Sequence, residues 1–167
     1  MKAFKKFDSP IGAIFIAEDE GYITQISLAG KPLDAYEQDT ELLSGAYKQL
    51  GEYFTGKRKR FELPVLLRGS DFQNRVWKAL MDIPYGSAMS YSQVAAAIGM
   101  PMAARAVGGA CSANPLLIAV PCHRVLRNDG GLGGFAVGLE PKRYLLNLEG
   151  IHWLKGGVAA RDGKEAK

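Results

Sequence analysis

The chain has 167 residues, 47% hydrophobic and 23% charged, with a formal net charge of +4 at pH 7, an ordinary globular composition long enough to bury a core in one domain or two small ones. No apolar run approaches the ~20 residues of a membrane-spanning helix, and Asp8 stands where a secretory leader would carry its apolar centre, so a cytoplasmic location is expected. Two cysteines, Cys111 and Cys122, and two histidines, His123 and His152, are too few for a disulfide framework or a four-ligand zinc site, so no metal or cofactor is predicted.

Taken in chain order, Ala3–Phe7, Ala13–Glu18 and Ile23–Ala29 are short apolar runs broken by Asp8 to Gly12 and by Asp19 to Gly21, which predicts an antiparallel meander. From Glu41, apolar residues recur at helical spacing through Phe54, with Gly56 as the stop. That helix is expected to cover one face of the sheet. The run Lys57 to Arg60 reads as a solvated turn. Residues 1–64 form the expected first domain and residues 65–69 the expected linker. The first 64 residues carry nine Lys/Arg against ten Asp/Glu, whereas residues 65–167 carry twelve against seven. The basic second segment favours a polyanionic partner, since neutralising phosphates releases counterions.

The second domain is expected over residues 70–155. It opens on a capping-box pattern, Ser70 to Gln73, ahead of Val76, Trp77, Leu80 and Met81 on one face of a helix from Asp71 to Ile83. The same device recurs at Ser90 to Gln93 before Val94 to Ile98. The turn Gly99-Met100-Pro101 and a small-residue helix from Met102 to Ala113 complete a helix-turn-helix by spacing. Asn114-Pro115 ends that helix, and Leu116–Val120 is predicted as a buried strand carrying Pro121-Cys122-His123-Arg124 at its end. Pro141 and Gly150 bracket a last helix, and the small, charged tail over 156–167 is expected to be loosely ordered.

Cys122 beside His123 and Arg124 is a candidate nucleophile, because a nearby base and a cationic neighbourhood turn a thiol into a thiolate. A buried structural cysteine is the competing reading, since adjacent residues on an extended chain point to opposite faces. Glu149 could orient His123 as the third member of a triad, or simply end a helix. The second helix of the helix-turn-helix offers Ala103, Ala104, Ala106, Val107, Gly108, Gly109 and Ala110, and only Arg105 is long enough to reach a base. That face suits close approach to a minor groove with little sequence preference, or equally close helix packing. Tyr91 fits stacking on a base or a capped core position.

Pro121-Cys122-His123-Arg124-Val125, with Arg105 to Ala110, Asn114-Pro115, Phe72-Gln73, Val76-Trp77, Tyr91, and Gly133-Gly134-Phe135 leading to Leu148-Glu149-Gly150, resembles the O6-alkylguanine-DNA alkyltransferase family over residues 70–150. The resemblance implies a mixed α/β (α+β) fold, with a ribonuclease-H-like antiparallel sheet and helix first and a mostly helical domain second. It also implies single-turnover transfer of an alkyl group from O6 of guanine, and less well from O4-methylthymine, in double-stranded DNA to Cys122. In that scheme His123 is the base, acting through a water, and Glu149 orients it. Tyr91 sits against the phosphate 3′ of the flipped nucleotide and protonates the leaving guanine, while Arg105 fills the gap in the stack. Ala104, Gly108, Ser112 and Arg124 complete the DNA surface. Asn114, Cys111, Val125, Phe135 and Ala136 form the hinge and base pocket. The protein is expected to act as a monomer.

Two departures bear on adduct size. Cys111 stands where some relatives carry a larger apolar residue, and Ala136 where others carry a serine. Relatives with an N-terminal zinc use cysteines and histidines that residues 1–64 lack. Two rivals remain: a lesion sensor that binds and does no chemistry, and a cysteine hydrolase built on Cys122, His123 and Glu149.

Overall fold

A computed structural model of the chain describes residues 2–135, 138–155 and 158–159. It divides into two compact units, one formed by the residues up to Arg68 together with Pro115–Ala119, the other by Gly69–Asn114 and the chain from Val120 onward.

The first unit is built on three antiparallel strands, β1 (Lys2–Ser9), β2 (Gly12–Asp19) and β3 (Tyr22–Ser27). The β2–β3 connection is a two-residue turn in which Glu20 and Gly21 both have positive φ (50° and 83°). That geometry matches the right-handed twist of the strands it joins. Ile14, Ile16, Ile23 and Ile26 are fully buried, and α1 (Glu41–Phe54) covers them with Leu43, Ala46, Leu50, Tyr53 and Phe54. Thr40 caps α1, accepting from the Leu43 amide, and its hydroxyl donates to Glu18 at 2.5 Å. The ring of Phe7 packs edge-on against Tyr47 and stacks on Phe54.

Three features of this unit differ from the sequence expectation. A short fourth strand, β4 (Tyr36–Glu37), pairs parallel to β1, giving the order β3-β2-β1-β4. The expected linker over 65–69 begins as sheet: the Ile23 amide donates to Pro64 (2.7 Å), the Leu66 amide donates to Ile23 (3.1 Å), and Val65 bridges Ile23 in parallel. The predicted strand over Leu116–Val120 is interrupted. Leu116 bridges Ile26 in parallel, but Ile118 then takes φ 71° and the Ala119 amide turns back to the Leu117 carbonyl at 2.8 Å. A β-branched residue at positive φ is strained by about 1–3 kcal/mol. An unbroken apolar run gives no warning of such a reversal.

The second unit contains α2 (Asp71–Met81), β5 (Met89–Ser90), α3 (Tyr91–Ala97), α4 (Ala104–Ser112), a 3-10 turn at Cys122–Arg124, β6 (Val125–Leu126) and α5 (Leu139–Glu149). β5 and β6 pair in parallel, Met89 opposite Val125. Capping boxes are complete at Ser70 and Ser90, where the serine accepts from the N3 amide and the N3 glutamine returns to the cap amide. α4 starts two residues later than its apolar pattern predicts and has no side-chain cap at Ala103. It is held from the side instead, Trp77 of α2 donating through Nε1 to the Ala110 carbonyl at 2.9 Å. A satellite core of Leu126, Leu132, Leu146, Ile151 and Trp153 closes around the end of β6 and the end of α5. Of the expected loose tail over 156–167, only Val158–Ala159 falls among the described residues. It forms β8 against β7 (Leu154–Lys155).

Gly69 sits where the chain crosses the Trp77 ring, and a Cβ there would lie 2.5 and 2.6 Å from two ring carbons. Gly69→Ala is therefore expected to destabilise the protein by about 1–3 kcal/mol through overpacking. Urea denaturation should show a lower midpoint at unchanged slope.

Candidate active site

Two tight turns present Cys122. Pro121 (φ −81°, ψ 65°) is the centre of an inverse γ-turn, with the Cys122 amide bonded to the Val120 carbonyl at 2.8 Å. Cys122–Arg124 then make one turn of 3-10 helix, which sends successive side chains about 120° apart instead of to opposite faces. Asn114, just past α4, bridges the entry to this turn: its Nδ2 donates to the Val120 carbonyl at 2.8 Å and to Cys122 Sγ at 3.2 Å.

His123 points into a buried polar network. Its Nε2 lies 2.6 Å from Glu149 Oε2, and both side chains are fully buried. Arg124 grips the same carboxylate through Nε (2.8 Å to Oε1) and Nη2 (3.1 Å to Oε2), and its Nη1 donates to the Ile83 carbonyl at 2.7 Å. The Gly86 amide adds a bond to Oε1 at 3.1 Å. Burial alone would raise the Glu149 carboxyl, but the hydrogen bond from His123 and the Arg124 guanidinium outweigh it and bring it down to about 2. Burial lowers His123 despite Glu149 and keeps it neutral, so the permanent positive charge facing the carboxylate is that of Arg124. An ionised carboxylate can only accept, so Nε2 carries the hydrogen and the imidazole lone pair falls on Nδ1. That nitrogen is buried and has no partner among the described residues.

Cys122 lines a cavity of about 170 Å³ with Tyr91, Gly108, Cys111, Ser112, Gly134 and Phe135. Tyr91, Gly108 and Gly134 also line a wider groove of about 660 Å³, together with Ala104, Arg105, Arg127, Asn128, Asp129 and Gly133. Glycines make room for Tyr91: a Cβ at Gly133 (φ +68°) would come within 3.0 Å of its hydroxyl. Burial pushes the Tyr91 phenol and the Cys111 thiol up to about 12 each. Burial also raises the Cys122 thiol, while the Asn114 hydrogen bond and the charge of Lys142 act in the opposite direction.

Residues 3–67 match the ribonuclease-like domain and residues 71–151 the DNA binding domain of 6-O-methylguanine DNA methyltransferase. The methylated-DNA–protein-cysteine methyltransferase of Mycolicibacterium paratuberculosis is 42% identical over 156 residues, covering 91% of this chain and 94% of the relative. The chain belongs to this methyltransferase family. The constitutive enzyme of Bacillus subtilis is 41% identical, covering 92% of this chain and 98% of its own length. The crystal structure of Mycobacterium tuberculosis OGT in complex with DNA superposes with a TM-score of 0.83 at 43% identity, covering 88% and 92% of the two chains.

Within this methyltransferase, Cys122, Tyr91, Cys111, Ser112, Gly108 and Phe135 line the smaller cavity, Asn114 stands against the Cys122 sulfur, and along the groove Arg105 is exposed and Ala104 half-buried. Two expectations need correction. Arg124, expected on the DNA surface, is buried and wholly engaged by Glu149 and Ile83. Val125, expected in the base pocket, is fully buried in β6 and offers its carbonyl to Lys142 at 2.8 Å. Ala136 lies outside the described residues. Sequence reasoning missed Lys142, whose one signal is a cation in the first turns of a helix, the wrong end of the dipole.

Glu149→Gln leaves Arg124 buried without its counter-charge, and a loss of about 3–5 kcal/mol is expected at neutral pH. The folded carboxyl titrates near 2, below the unfolded value of about 4.3. Its contribution is therefore present above that value and lost as pH falls towards 2. The gap between wild type and variant in denaturation midpoint should narrow over that window.

Proposed function

We propose that this protein repairs O6-alkylguanine in duplex DNA by transferring the alkyl group to its own Cys122, once per molecule. The reading rests on one observation: a buried cysteine, with its sulfur held by Asn114, lines a small cavity that shares Tyr91, Gly108 and Gly134 with a groove bordered by Arg105. A base within a duplex is out of reach of such a sulfur, so the nucleotide must be extruded. That costs a few kcal/mol, least for a mispairing alkylated base. Arg105 takes the vacated place in the stack, and the small residues of α4 admit the backbone closely.

In the transfer step the thiol proton leaves through a water to Nδ1 of His123, and the resulting imidazolium is held by Glu149. The sulfur attacks the alkyl carbon, the S–C bond forms as the C–O6 bond breaks, and the guanine keeps the electron pair. Tyr91, kept protonated by its burial, neutralises the leaving base by donating its proton. The thioether product has no route back, which makes the reaction stoichiometric. Arg124 serves this site as the brace of Glu149. The need for a reduced Cys122 fits a cytoplasmic location.

Incubation with excess duplex carrying one O6-methylguanine should add one methyl group to the Cys122 peptide and restore one guanine per protein, as read by peptide mass. An unchanged mass with retained binding would indicate a lesion sensor. Repeated turnover of an ester would indicate a hydrolase. Cys122→Ala should abolish transfer while sparing DNA binding. Arg105→Ala should slow transfer about tenfold or more, because it bears part of the extrusion cost, while changing binding to undamaged duplex far less in a titration at fixed salt.

A further inference from the structure

Lys142 has no place in the scheme so far. It is fully buried in the first turns of α5, where the helix dipole disfavours a cation. Its ammonium donates to the carbonyls of Val125 (2.8 Å) and Gly134 (3.2 Å), and no carboxylate pairs with it among the described residues. Burying an ammonium on neutral acceptors alone is costly, and an apolar side chain would fill the space without that cost. Its two acceptors locate it. Val125 directly follows the Cys122–Arg124 turn, and Gly134 lines the cavity beside Cys122.

We propose that Lys142 is a positioning residue for alkyl transfer: it straps the cavity rim at Gly134 to the strand behind the nucleophile and sets a positive charge against the cavity where the Cys122 thiolate forms. The inference rests on Cys122 being the nucleophile. The other ionisable groups around the sulfur leave this task to Lys142. Cys111 on α4 and Tyr91 on α3 are held protonated by burial. His123 is neutral, and the charges of Arg124 and Glu149 are spent on each other. Lys142 itself is lowered to about 8 by burial, with Cys122 and Cys111 pulling it back up. The dependence is reciprocal: removing the ammonium raises the thiol, and removing the thiol lowers the ammonium.

Alkylation of Cys122 by iodoacetamide in the full chain without DNA, followed by peptide mass from about pH 6 to about pH 11.5, reads the thiol ionisation. Lys142→Met should move the midpoint up by about one pH unit, an approximately tenfold slower reaction at neutral pH. Lys142→Arg should keep it near the wild-type value. A purely structural lysine would change stability and leave the midpoint alone, and an unmoved midpoint in Lys142→Met overturns the proposal. Should that variant not fold, carbon-13 NMR of the lysine side chains carries the test. Lys142 should titrate at lower pH in Cys122→Ser than in the unsubstituted chain, and identical titrations overturn the proposal. Failure of the wild type to take up methyl groups from DNA sinks the transfer reading instead. Normal transfer with equal midpoints sinks only the part assigned to Lys142.

Discussion

The buried carboxylate of Glu149 is the constraint on which the site depends. It draws together the last residue of α5, the Cys122–Arg124 turn and the Gly86 amide ahead of β5, three stretches far apart in sequence. Every lone pair it offers is used by a donor, which is how a charge survives out of water. Because Arg124 supplies the full counter-charge, His123 is free to stay neutral. Its ring is then fixed by a hydrogen bond through one nitrogen while the other remains basic.

The sequence carries the frame of this molecule more clearly than its joints. Three strands, the α1 stripe and both capping boxes follow from periodicity and from serine-to-glutamine spacing, because those signals are local. The parallel pairings made by Tyr36, Val65 and Leu116 are invisible at that level. Each joins residues separated by tens of positions through backbone bonds that leave no mark on side-chain choice. The positive φ of Ile118 is a case where tertiary context overrides a strong strand preference.

At the site, residue types identify the participants, and geometry distributes them. Cys122 and His123 look incompatible on an extended chain, and the 3-10 turn removes the conflict by rotating one towards the cavity and the other towards Glu149. Arg124 shows the opposite failure, since a basic residue in a basic domain reads as a phosphate contact until its guanidinium is found committed inside. The small residues of α4 serve both readings that the sequence left open. Val107 and Ala110 pack inward, while Ala104 and Gly108 border the groove.

The return of Pro115–Ala119 to the first unit has a bearing on how the chain folds as it is made. The Ile26 amide and carbonyl are satisfied by Pro115 and Leu117, which leave the ribosome some ninety residues later. At about 5–20 residues per second, that part of β3 stays an open strand edge for several seconds to more than ten. An unpaired edge is a template for another chain. Completion of the first unit therefore waits on the same stretch of polypeptide that brings out the nucleophile, and a chain truncated before residue 115 would lack both.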